Sequence, residues 1–314
     1  MAVISDSNEA VRLLKNGGIV ALPTETVYGL GANALDEHAV AKVFKVKNRP
    51  SFDPLIVHVA SIEQAKLIAE VTDEAEALFR RFSPGPLTLI LQKKQIVPDL
   101  TTSGHMTVGV RIPNHPIVLE VIRNSGLCIA APSANPFGYT SPTNAAHVFD
   151  QFGDGIDAVL DGGPCEVGIE STILEMSETP KILRLGGLSI ESIEDVIGKV
   201  IIESSSSDPK APGMLSSHYN PGVNVRLFES LNEMLSQYKV VNKSSIGLLI
   251  MGKGPCGDNM YNLSTSNDDV EAASRLFTGL HQLKAKGFRE IWAHSVPENG
   301  LGRAINDRLK RAAH

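Results

Sequence analysis

Short apolar runs and helix-spaced apolar positions alternate along the first part of the chain. Residues 9–15 carry apolar side chains at helical spacing and stop at Gly17-Gly18, which predicts a helix with a glycine exit. Further predicted helix starts are Asp36, Ser61, Thr72 and Ser141. The predicted strands cover residues 18–22, 55–59, 87–91, 108–112 and 127–131. This mixture predicts an α/β or α+β fold with a mixed sheet.

A serine-rich stretch interrupts this pattern. Residues 203–212 contain consecutive serines followed by Asp-Pro-Lys-Ala-Pro, a composition that indicates a linker. Beyond it, strands are predicted over residues 245–251 and 289–294, and helices over residues 269–286 and 302–312. This order predicts a small parallel-sheet domain. We therefore divide the chain into a domain of residues 1–202, a linker of residues 203–223 and a second domain of residues 224–314.

Composition indicates a globular protein with a core, since 42% of the 314 residues are hydrophobic and 20% are charged. The net charge of -6 argues against a protein that coats nucleic acid, although a local basic groove is compatible with it. The chain ends in a basic run, residues 308–311.

The sequence has three cysteines, Cys128, Cys165 and Cys256, which lie far apart and form no C-x-x-C pair. This spacing indicates reduced thiols. Asp6 and Glu9 interrupt any apolar run that a signal peptide would need. No stretch approaches the roughly 18 apolar residues of a membrane span. We therefore expect a cytoplasmic protein that does not enter a membrane.

Two segments offer groups that could bind a polar ligand. Residues 23–31 place two threonines, a glutamate and a tyrosine beside two glycines, directly after a predicted strand. A simple turn whose threonines satisfy local backbone groups explains the same residues equally well. Lys47 and Arg49 lie at the exit of a predicted helix, where an arginine fork and a lysine charge suit a polyphosphate. The helix dipole alone accounts for the neighbouring Lys42 and Lys45.

Further polar groups recur within apolar strands. Arg111 lies between apolar neighbours and needs an anionic partner if it points inward. Residues 130–135 are rich in hydrogen-bond donors, residues 169–173 hold a carboxylate and two hydroxyls, and Arg184 precedes a glycine turn. No G-x-x-x-x-G-K-[ST] loop, G-x-S-x-G elbow or His-Glu-x-x-His helix occurs. A strand histidine such as His58 is more often a packed residue than a catalyst.

In this order, the segments resemble the Sua5/YrdC/YciO family, and specifically its longer Sua5 branch. The matching stretches are residues 18–35, 47–59, 84–91, 108–116, 130–143, 161–173 and 183–187, and residues 211–214 and 217–221 resemble the linker of that branch. The resemblance implies an α/β protein with a YrdC-like twisted mixed sheet flanked by helices. It also implies a small, Rossmann-like C-terminal domain.

The resemblance also implies an activity. The family makes L-threonylcarbamoyladenylate from L-threonine, bicarbonate or CO2, and ATP, and releases pyrophosphate, which is a nucleotidyl transfer. The product is the donor of the threonylcarbamoyl group on adenosine 37 of tRNAs that read ANN codons. Mg2+ is then expected to accompany ATP, with no metal held by the protein. The expected partners are the downstream tRNA threonylcarbamoyl-transfer machinery, while a direct tRNA contact stays open.

Residue roles follow from the same resemblance. Lys47 and Arg49 are the expected catalytic residues, because positioning and charge stabilisation would carry the reaction. The residues expected to hold threonine are Thr24, His58, Arg111, Ala131 and Ser171. The residues expected to hold ATP are Lys47, Arg49, Thr107, Ser133, Ser141 and Arg184, with Tyr219 of the linker closing over it.

Two positions depart from the family pattern. Asp53 precedes Pro54 where the family usually has Asn or His, and an anionic side chain there suits a cation better than a polar ligand. Ser83 stands before Pro-Gly-Pro where the family usually has Trp.

Two alternative functions remain open at this point. The first is a non-catalytic module that binds double-stranded RNA or tRNA. The second is the carbamoyl transfer of hydrogenase maturation proteins, which carry acylphosphatase-like and zinc-finger segments that do not occur here. The sequence leaves the oligomeric state and the role of the C-terminal domain undecided.

Overall fold

The computed structural model describes residues 2–177, 179–203, 211–213, 218–241 and 243–313. Among them, the predicted fold class is confirmed, because the chain forms a large mixed sheet with flanking helices and a smaller parallel sheet. The serine run at 204–210 and residues 214–217 of the predicted linker lie outside the described residues. No described helix combines the length and the apolar character needed to cross a membrane.

The larger sheet has eleven described strands in the order β1-β8-β2-β3-β7-β4-β6-β5-β9-β10-β11. Their bounds are β1 Ala2–Ile4, β2 Val20–Leu22, β3 Gly29–Asn33, β4 Ile56–His58, β5 Leu87–Gln92, β6 Thr107–Arg111, β7 Ile129–Ala130, β8 Ala158–Leu160, β9 Thr172–Glu175, β10 Lys181–Arg184 and β11 Ile201–Ile202. The sheet contains both kinds of pair, for example the antiparallel β5–β6 and the parallel β5–β9.

Helices cover both faces of this sheet. Their bounds are α1 Ser7–Lys15, α2 Glu37–Lys47, α3 Ile62–Ile68, α4 Asp73–Phe82, α5 Asp99–Thr102, α6 Pro116–Ser125, α7 Ala145–Phe152 and α8 Ile190–Ile197. Successive residues of a strand face opposite sides, so Val20 and Leu22 pack with α1 and α6 whereas Ala21 belongs to the core under α2, α3 and α4. The predicted caps Asp36, Ser61 and Thr72 each accept a backbone N–H of the first turn.

The smaller sheet is parallel, in the order β12-β15-β13-β14. Its elements are β12 Asn224–Phe228, α9 Leu231–Tyr238, β13 Ile246–Ile250, β14 Met260–Asn262, α10 Asp269–Ala285, β15 Glu290–His294 and α11 Gly302–Ala312. α9 packs on one face, and α10 and α11 pack on the other. The expected strand–helix–strand–helix order from residue 245 onward is confirmed, with β14 as an additional short strand.

Two local predictions are corrected by the structure. The helix expected from Ser141 begins at Ala145, because Asn144 accepts the cap bond from His147 N instead. The turn expected over residues 23–31 ends at Tyr28, and Gly29 already belongs to β3. The terminal basic run is mostly internal, since Arg308 and Arg311 are buried in the amphipathic α11.

The two sheets meet through α7 and α10. His147 of α7 stacks on His281 of α10 with ring centroids 4.0 Å apart, and His281 Nε2 lies 3.2 Å from the carbonyl of Ser141. Burial lowers the pKa of His147 to about 3, with His281 adding to the effect, and burial lowers the pKa of His281 to about 4. Lys284 lowers and Asp150 raises the latter pKa, so both rings are neutral at neutral pH.

We expect acid to weaken this interface. The folded rings bind fewer protons than unfolded histidines, whose pKa is 6.5, so their stabilising contribution is complete above pH 6.5 and is lost as the pH falls towards 4. In thermal unfolding followed across this range, the double variant His147→Gln/His281→Gln should lose less stability on acidification than the wild type. His38→Gln, at an exposed position of α2, should behave like the wild type. An unchanged acid response of the double variant would contradict this assignment.

Candidate active site

One row of paired residues crosses the larger sheet and brings the polar strand residues together. His58 of β4 pairs with Arg111 of β6, Arg111 with Thr88 of β5, Thr88 with Ile173 of β9, and Ile173 with Arg184 of β10. Residues opposite each other on neighbouring strands share a face of the sheet. The register therefore places His58, Arg111 and Arg184 on one side of the sheet, although they are far apart in the sequence.

Arg184 is held over Ser171 at one end of this row. Its Nε donates to the carbonyl of Ser171 and its Nη2 to the hydroxyl, each at 3.1 Å, and the register of β9 and β10 is irregular beside it. Thr88 contacts the same hydroxyl at 2.7 Å. Burial lowers the pKa of Arg184 to about 10, which keeps the guanidinium charged at neutral pH. Ser171 and Arg184 thus form a fixed pair of polar groups.

Arg111 and His58 lie beside each other further along the row. Arg111 Nη2 lies 2.7 Å from Glu25 Oε2, and both side chains are buried. This is the inward anionic partner that the sequence requires. Burial and the nearby Arg111 lower the pKa of His58 to about 3, so the imidazole is neutral. Its Nδ1 is buried without a hydrogen-bond partner among the described residues.

The exit of α2 carries Lys47 and Arg49 inward because Asn48 adopts a left-handed conformation with φ of 49°. Lys47 Nζ donates to the carbonyl oxygens of Ser133, at 2.5 Å, and of Asn135. Burial lowers the pKa of Lys47 well below its usual range, with Arg49 acting in the same direction. The neighbouring Lys45 is exposed, as the dipole explanation expects.

Asp53 pairs with Arg49 within the loop that follows α2. Arg49 Nη2 lies 2.9 Å from Asp53 Oδ1, and Arg49 Nε donates to the Asp53 carbonyl at 2.9 Å. Burial raises the pKa of Asp53, against the lowering effects of Arg49 and Lys47. Asp53, where the resemblance leads us to expect Asn or His, therefore places a carboxylate beside Arg49, which lines the cavity. The sequence had suggested that an anionic side chain at this position would pair with a cation.

The linker covers the resulting cavity. Arg184 Nη1 donates to the carbonyl of Pro212, and Thr140 Oγ1 donates to the carbonyl of Tyr219 at 2.9 Å. Tyr219 is 1% exposed and has a φ of 67°, a conformation that a non-glycine residue adopts only when its surroundings impose it. Its ring packs on Phe277 of α10, with centroids 5.4 Å apart.

Under this cover lies a cavity of about 40 Å³, which has room for a few water molecules. It is lined by Thr26, Val27, Arg49, Ile56, His58, Arg111, Ala131, Pro132, Ser133, Glu170, Ser171, Arg184, Pro212, Gly213, His218 and Tyr219. The walls offer cations, hydroxyls and backbone groups, which suit a polar anion.

Most residues singled out from the sequence meet at this cavity. Arg49, His58, Arg111, Ala131, Ser133, Ser171, Arg184 and Tyr219 line it. Lys47 and Ser141 lie behind the wall, where Lys47 contacts Ser133 and the Ser141 hydroxyl donates to Glu170 at 2.6 Å.

Thr24 and Thr107 are not among the lining residues. The Thr24 hydroxyl donates to the Val27 carbonyl at 2.6 Å and contacts the Thr26 hydroxyl, which is the local turn role considered from the sequence. Thr107 begins β6 whereas Arg111 ends it, so a rise of about 3.4 Å per residue separates their Cα atoms by about 14 Å.

Three polar lining residues were not assigned a role from the sequence. Thr26 follows Thr24 in the same turn, Glu170 precedes Ser171, and His218 precedes Tyr219. Glu170 could have been recognised from the sequence, because a carboxylate within an apolar strand needs a partner. That partner, Arg308, lies in the other domain and is not recognisable from sequence spacing. Within the described part of the chain, no group of three or more His, Cys, Asp or Glu residues is arranged to hold a metal ion.

Fold and cavity together define an α/β protein with a covered, cationic site for a polar anionic ligand. Residues 12–186 match the Sua5/YciO/YrdC family model, described as telomere recombination, and residues 188–314 match the model described as threonylcarbamoyl-AMP synthase, C-terminal domain. The chain belongs to the Sua5/YciO/YrdC family, which confirms the resemblance seen in its motifs.

Relatives that match this chain over nearly its full length are named threonylcarbamoyl-AMP synthase. Threonylcarbamoyl-AMP synthase of Pyrococcus abyssi is 42% identical, over 97% of this chain and 93% of that protein. The synthase of Bacillus subtilis is 39% identical, over 97% and 92%. The crystal structure of P. abyssi Sua5 complexed with L-threonine superposes with a TM-score of 0.90 at 41% identity, covering 98% of this chain and 94% of that one.

A backbone contact at the cavity rim yields a stability prediction. A Cβ on Gly186 would overlap backbone atoms of Glu170, Ser171 and Thr172. Because backbone cannot easily give way, Gly186→Ala should lower the free energy of unfolding by about 1–3 kcal/mol, as overpacking does. Urea denaturation measures this.

The control is Gly155→Ala, because a Cβ at Gly155 has no neighbour within 4 Å and its φ is ordinary. The control should unfold close to the wild-type midpoint. Equal midpoints for Gly186→Ala and the wild type would show that the rim tolerates displacement.

Proposed function

We propose that this chain is a threonylcarbamoyl-AMP synthase, a nucleotidyltransferase that condenses L-threonine, bicarbonate or CO2, and ATP and releases pyrophosphate. One observation carries the proposal: Arg49, Arg111 and Arg184 converge on one covered cavity beside the hydroxyls of Ser133 and Ser171. Two anionic substrates need such an arrangement of fixed cations and hydrogen-bond donors. The names of the full-length relatives support the same activity.

The reaction requires little covalent chemistry from the protein. The amine of threonine adds to CO2 and loses a proton to solvent to give a carbamate, one oxygen of which attacks the α-phosphorus of ATP. The bond between that phosphorus and the bridging oxygen breaks, and pyrophosphate leaves with the electron pair. Positioned cations stabilise the charge that develops on the phosphoryl oxygens. The absence of an activated nucleophile from the motifs is consistent with this chemistry.

In this proposal, one half of the cavity binds threonine and the other half binds the nucleotide. Arg111, with neutral His58 beside it, binds the threonine carboxylate, while Ala131, Ser171 and the turn at Thr24 enclose the rest of the amino acid. Arg111 already pairs with Glu25, so the substrate carboxylate would share the guanidinium. Ser133, Ser141, Arg184 and the more distant Thr107 belong to the nucleotide half as predictions.

Lys47 and Arg49 hold the phosphates in this proposal. Both are desolvated, which strengthens their attraction for an arriving anion. A phosphate near Lys47 would raise the pKa of that amine and favour its charged form. ATP would enter as its Mg2+ complex, so that the metal arrives with the substrate.

Supply of the threonylcarbamoyl adenylate to a tRNA-modifying machinery stays part of the proposal, as does a cytoplasmic location. The two alternatives are less well supported. No described feature favours a non-catalytic RNA-binding module. The two family models that match residues 12–186 and 188–314 describe neither an acylphosphatase-like nor a zinc-finger segment.

The activity itself is directly measurable. Incubation with ATP, Mg2+, bicarbonate and L-threonine should release pyrophosphate and yield the adenylate, detected by mass spectrometry. Lys47→Met should lower turnover by about a hundredfold or more, since charge stabilisation at the phosphates is lost. The control is Lys45→Met, an exposed lysine of the same helix. Wild-type protein that forms no adenylate above background would refute the proposal.

In the same assay, the variant Arg111→Lys tests whether Arg111 belongs to the threonine half of the cavity. A lysine keeps the charge but cannot match the planar carboxylate, so the KM for threonine should rise more than the KM for ATP. An equal rise of both values would contradict the assignment of Arg111 to the threonine half.

The linker should act as a cover for the bound nucleotide. Tyr219→Ala removes the ring between the cavity and Phe277, so ATP should dissociate faster while the larger sheet stays folded. Stopped-flow release of a fluorescent ATP analogue measures this rate. Tyr139→Ala, at a nearby tyrosine that is 44% exposed, is the control. A release rate equal to that of the wild type would exclude the covering role.

A further inference from the structure

Arg308 extends from the second domain to the wall of the cavity. It lies in α11, and its side chain is 0% exposed. Its Nε and Nη2 both donate to Glu170 Oε2 at 3.1 Å, across the boundary between the two sheets. Its Nη1 contacts Asp307 at 2.9 Å. A wholly buried arginine with two bonds to one carboxylate is fixed in a single orientation.

Glu170 is the carboxylate of the cavity wall, and both of its oxygens are used. One oxygen accepts the two bonds from Arg308, and the other accepts the Ser141 hydroxyl at 2.6 Å. Burial alone would raise the pKa of Glu170, but Arg308, Arg184 and Ser141 lower it below its ordinary value. Glu170 is therefore an ionised group whose charge Arg308 offsets.

Arg308 also supports the cover of the cavity. Its guanidinium lies 5.1 Å from the ring centroid of Tyr219, a cation–π distance. Phe277, from α10 of the same domain, also packs against that ring. Glu170 and Tyr219 thus both line the cavity and both contact an arginine that does not line it.

We propose that Arg308 is a positioning residue of the nucleotide site, through which the C-terminal domain takes part in substrate binding. The inference rests on the proposed function, since it concerns the same cavity. Arg308 neutralises Glu170 and orients Tyr219. Without the guanidinium, Glu170 would keep only the nearby Arg184 and the Ser141 hydroxyl as compensation, and its remaining negative charge would repel the phosphates.

A purely structural role is the competing explanation, and the chain offers a matched control. Arg303 lies in the same helix and also forms an ion pair across the domains, with Nη1 at 2.5 Å from Glu191 Oε1. That pair is solvent-accessible, and neither residue lines the cavity. Arg303→Met therefore removes an interdomain ion pair without changing the charge at the site.

The test compares Arg308→Met, Glu170→Gln, the double variant and Arg303→Met. Binding of a non-hydrolysable ATP analogue is measured by calorimetry, and KM and kcat by pyrophosphate release. Arg308→Met should weaken nucleotide binding about tenfold or more, with the KM for ATP rising more than the KM for threonine. The double variant should recover most of this loss, because the introduced amide carries no charge and its oxygen still accepts the Ser141 hydroxyl. Arg303→Met should bind as the wild type does.

Two outcomes would overturn the proposal: nucleotide affinity of folded Arg308→Met equal to that of the wild type, or a double variant that binds no better than Arg308→Met. If Arg308→Met does not fold, Arg308→Gln replaces it, because it removes the charge but keeps a hydrogen-bond donor for Glu170. Arg308→Gln should then bind the analogue more weakly than Arg303→Met does, and equal affinities would likewise overturn the proposal. The calorimetric comparison does not depend on turnover, so wild-type protein that binds nucleotide but forms no adenylate would refute the proposed activity alone.

Discussion

Buried positive charge around one cavity is the constraint to which the rest of this structure is fitted. Lys47, Arg49, Arg111 and Arg184 are each at most 8% exposed. An ion in the protein interior costs several kcal/mol unless its charge and its hydrogen bonds are satisfied. Backbone carbonyls satisfy Lys47, Asp53 satisfies Arg49, Glu25 satisfies Arg111, and Ser171 satisfies Arg184. In the free protein each of these cations therefore has a partner. Under the proposed function, an incoming anion shares the cation with that partner or displaces it.

The same constraint explains why the domains are joined so closely at the site. Glu170 brings negative charge to a cavity suited to anions, and the arginine that offsets it comes from the C-terminal domain. The apolar cluster of that domain includes Val27, Ile169 and Tyr219, so packing and charge compensation act at the same place. The cover of the cavity consequently depends on both domains, and a chain lacking the second sheet would leave Glu170 without its counter-ion.

Local pattern predicted much of the fold, and long-range pairing accounts for what it missed. The caps Asp36, Ser61 and Thr72 were recognisable because each acts within its own turn. Ser141 was misread as a cap because its actual partner, Glu170, lies far along the chain. Motif resemblance indicated Arg111 and Arg184, but only the register across β4, β6, β5, β9 and β10 explains why they share a face. The partners Glu25 and Arg308 follow from neither periodicity nor spacing.

Asp53 shows how one substitution redistributes charge within this arrangement. Where the family usually has Asn or His, this chain has a carboxylate that lies 2.9 Å from Arg49. An amide would leave the guanidinium with its full charge, whereas Asp53 cancels much of it in a medium where screening by water is weak. Under the proposed function, a phosphate therefore competes with Asp53 for Arg49. Arg184 has only neutral oxygens as direct partners among the described residues, so it offers an anion more uncancelled charge than Arg49 does.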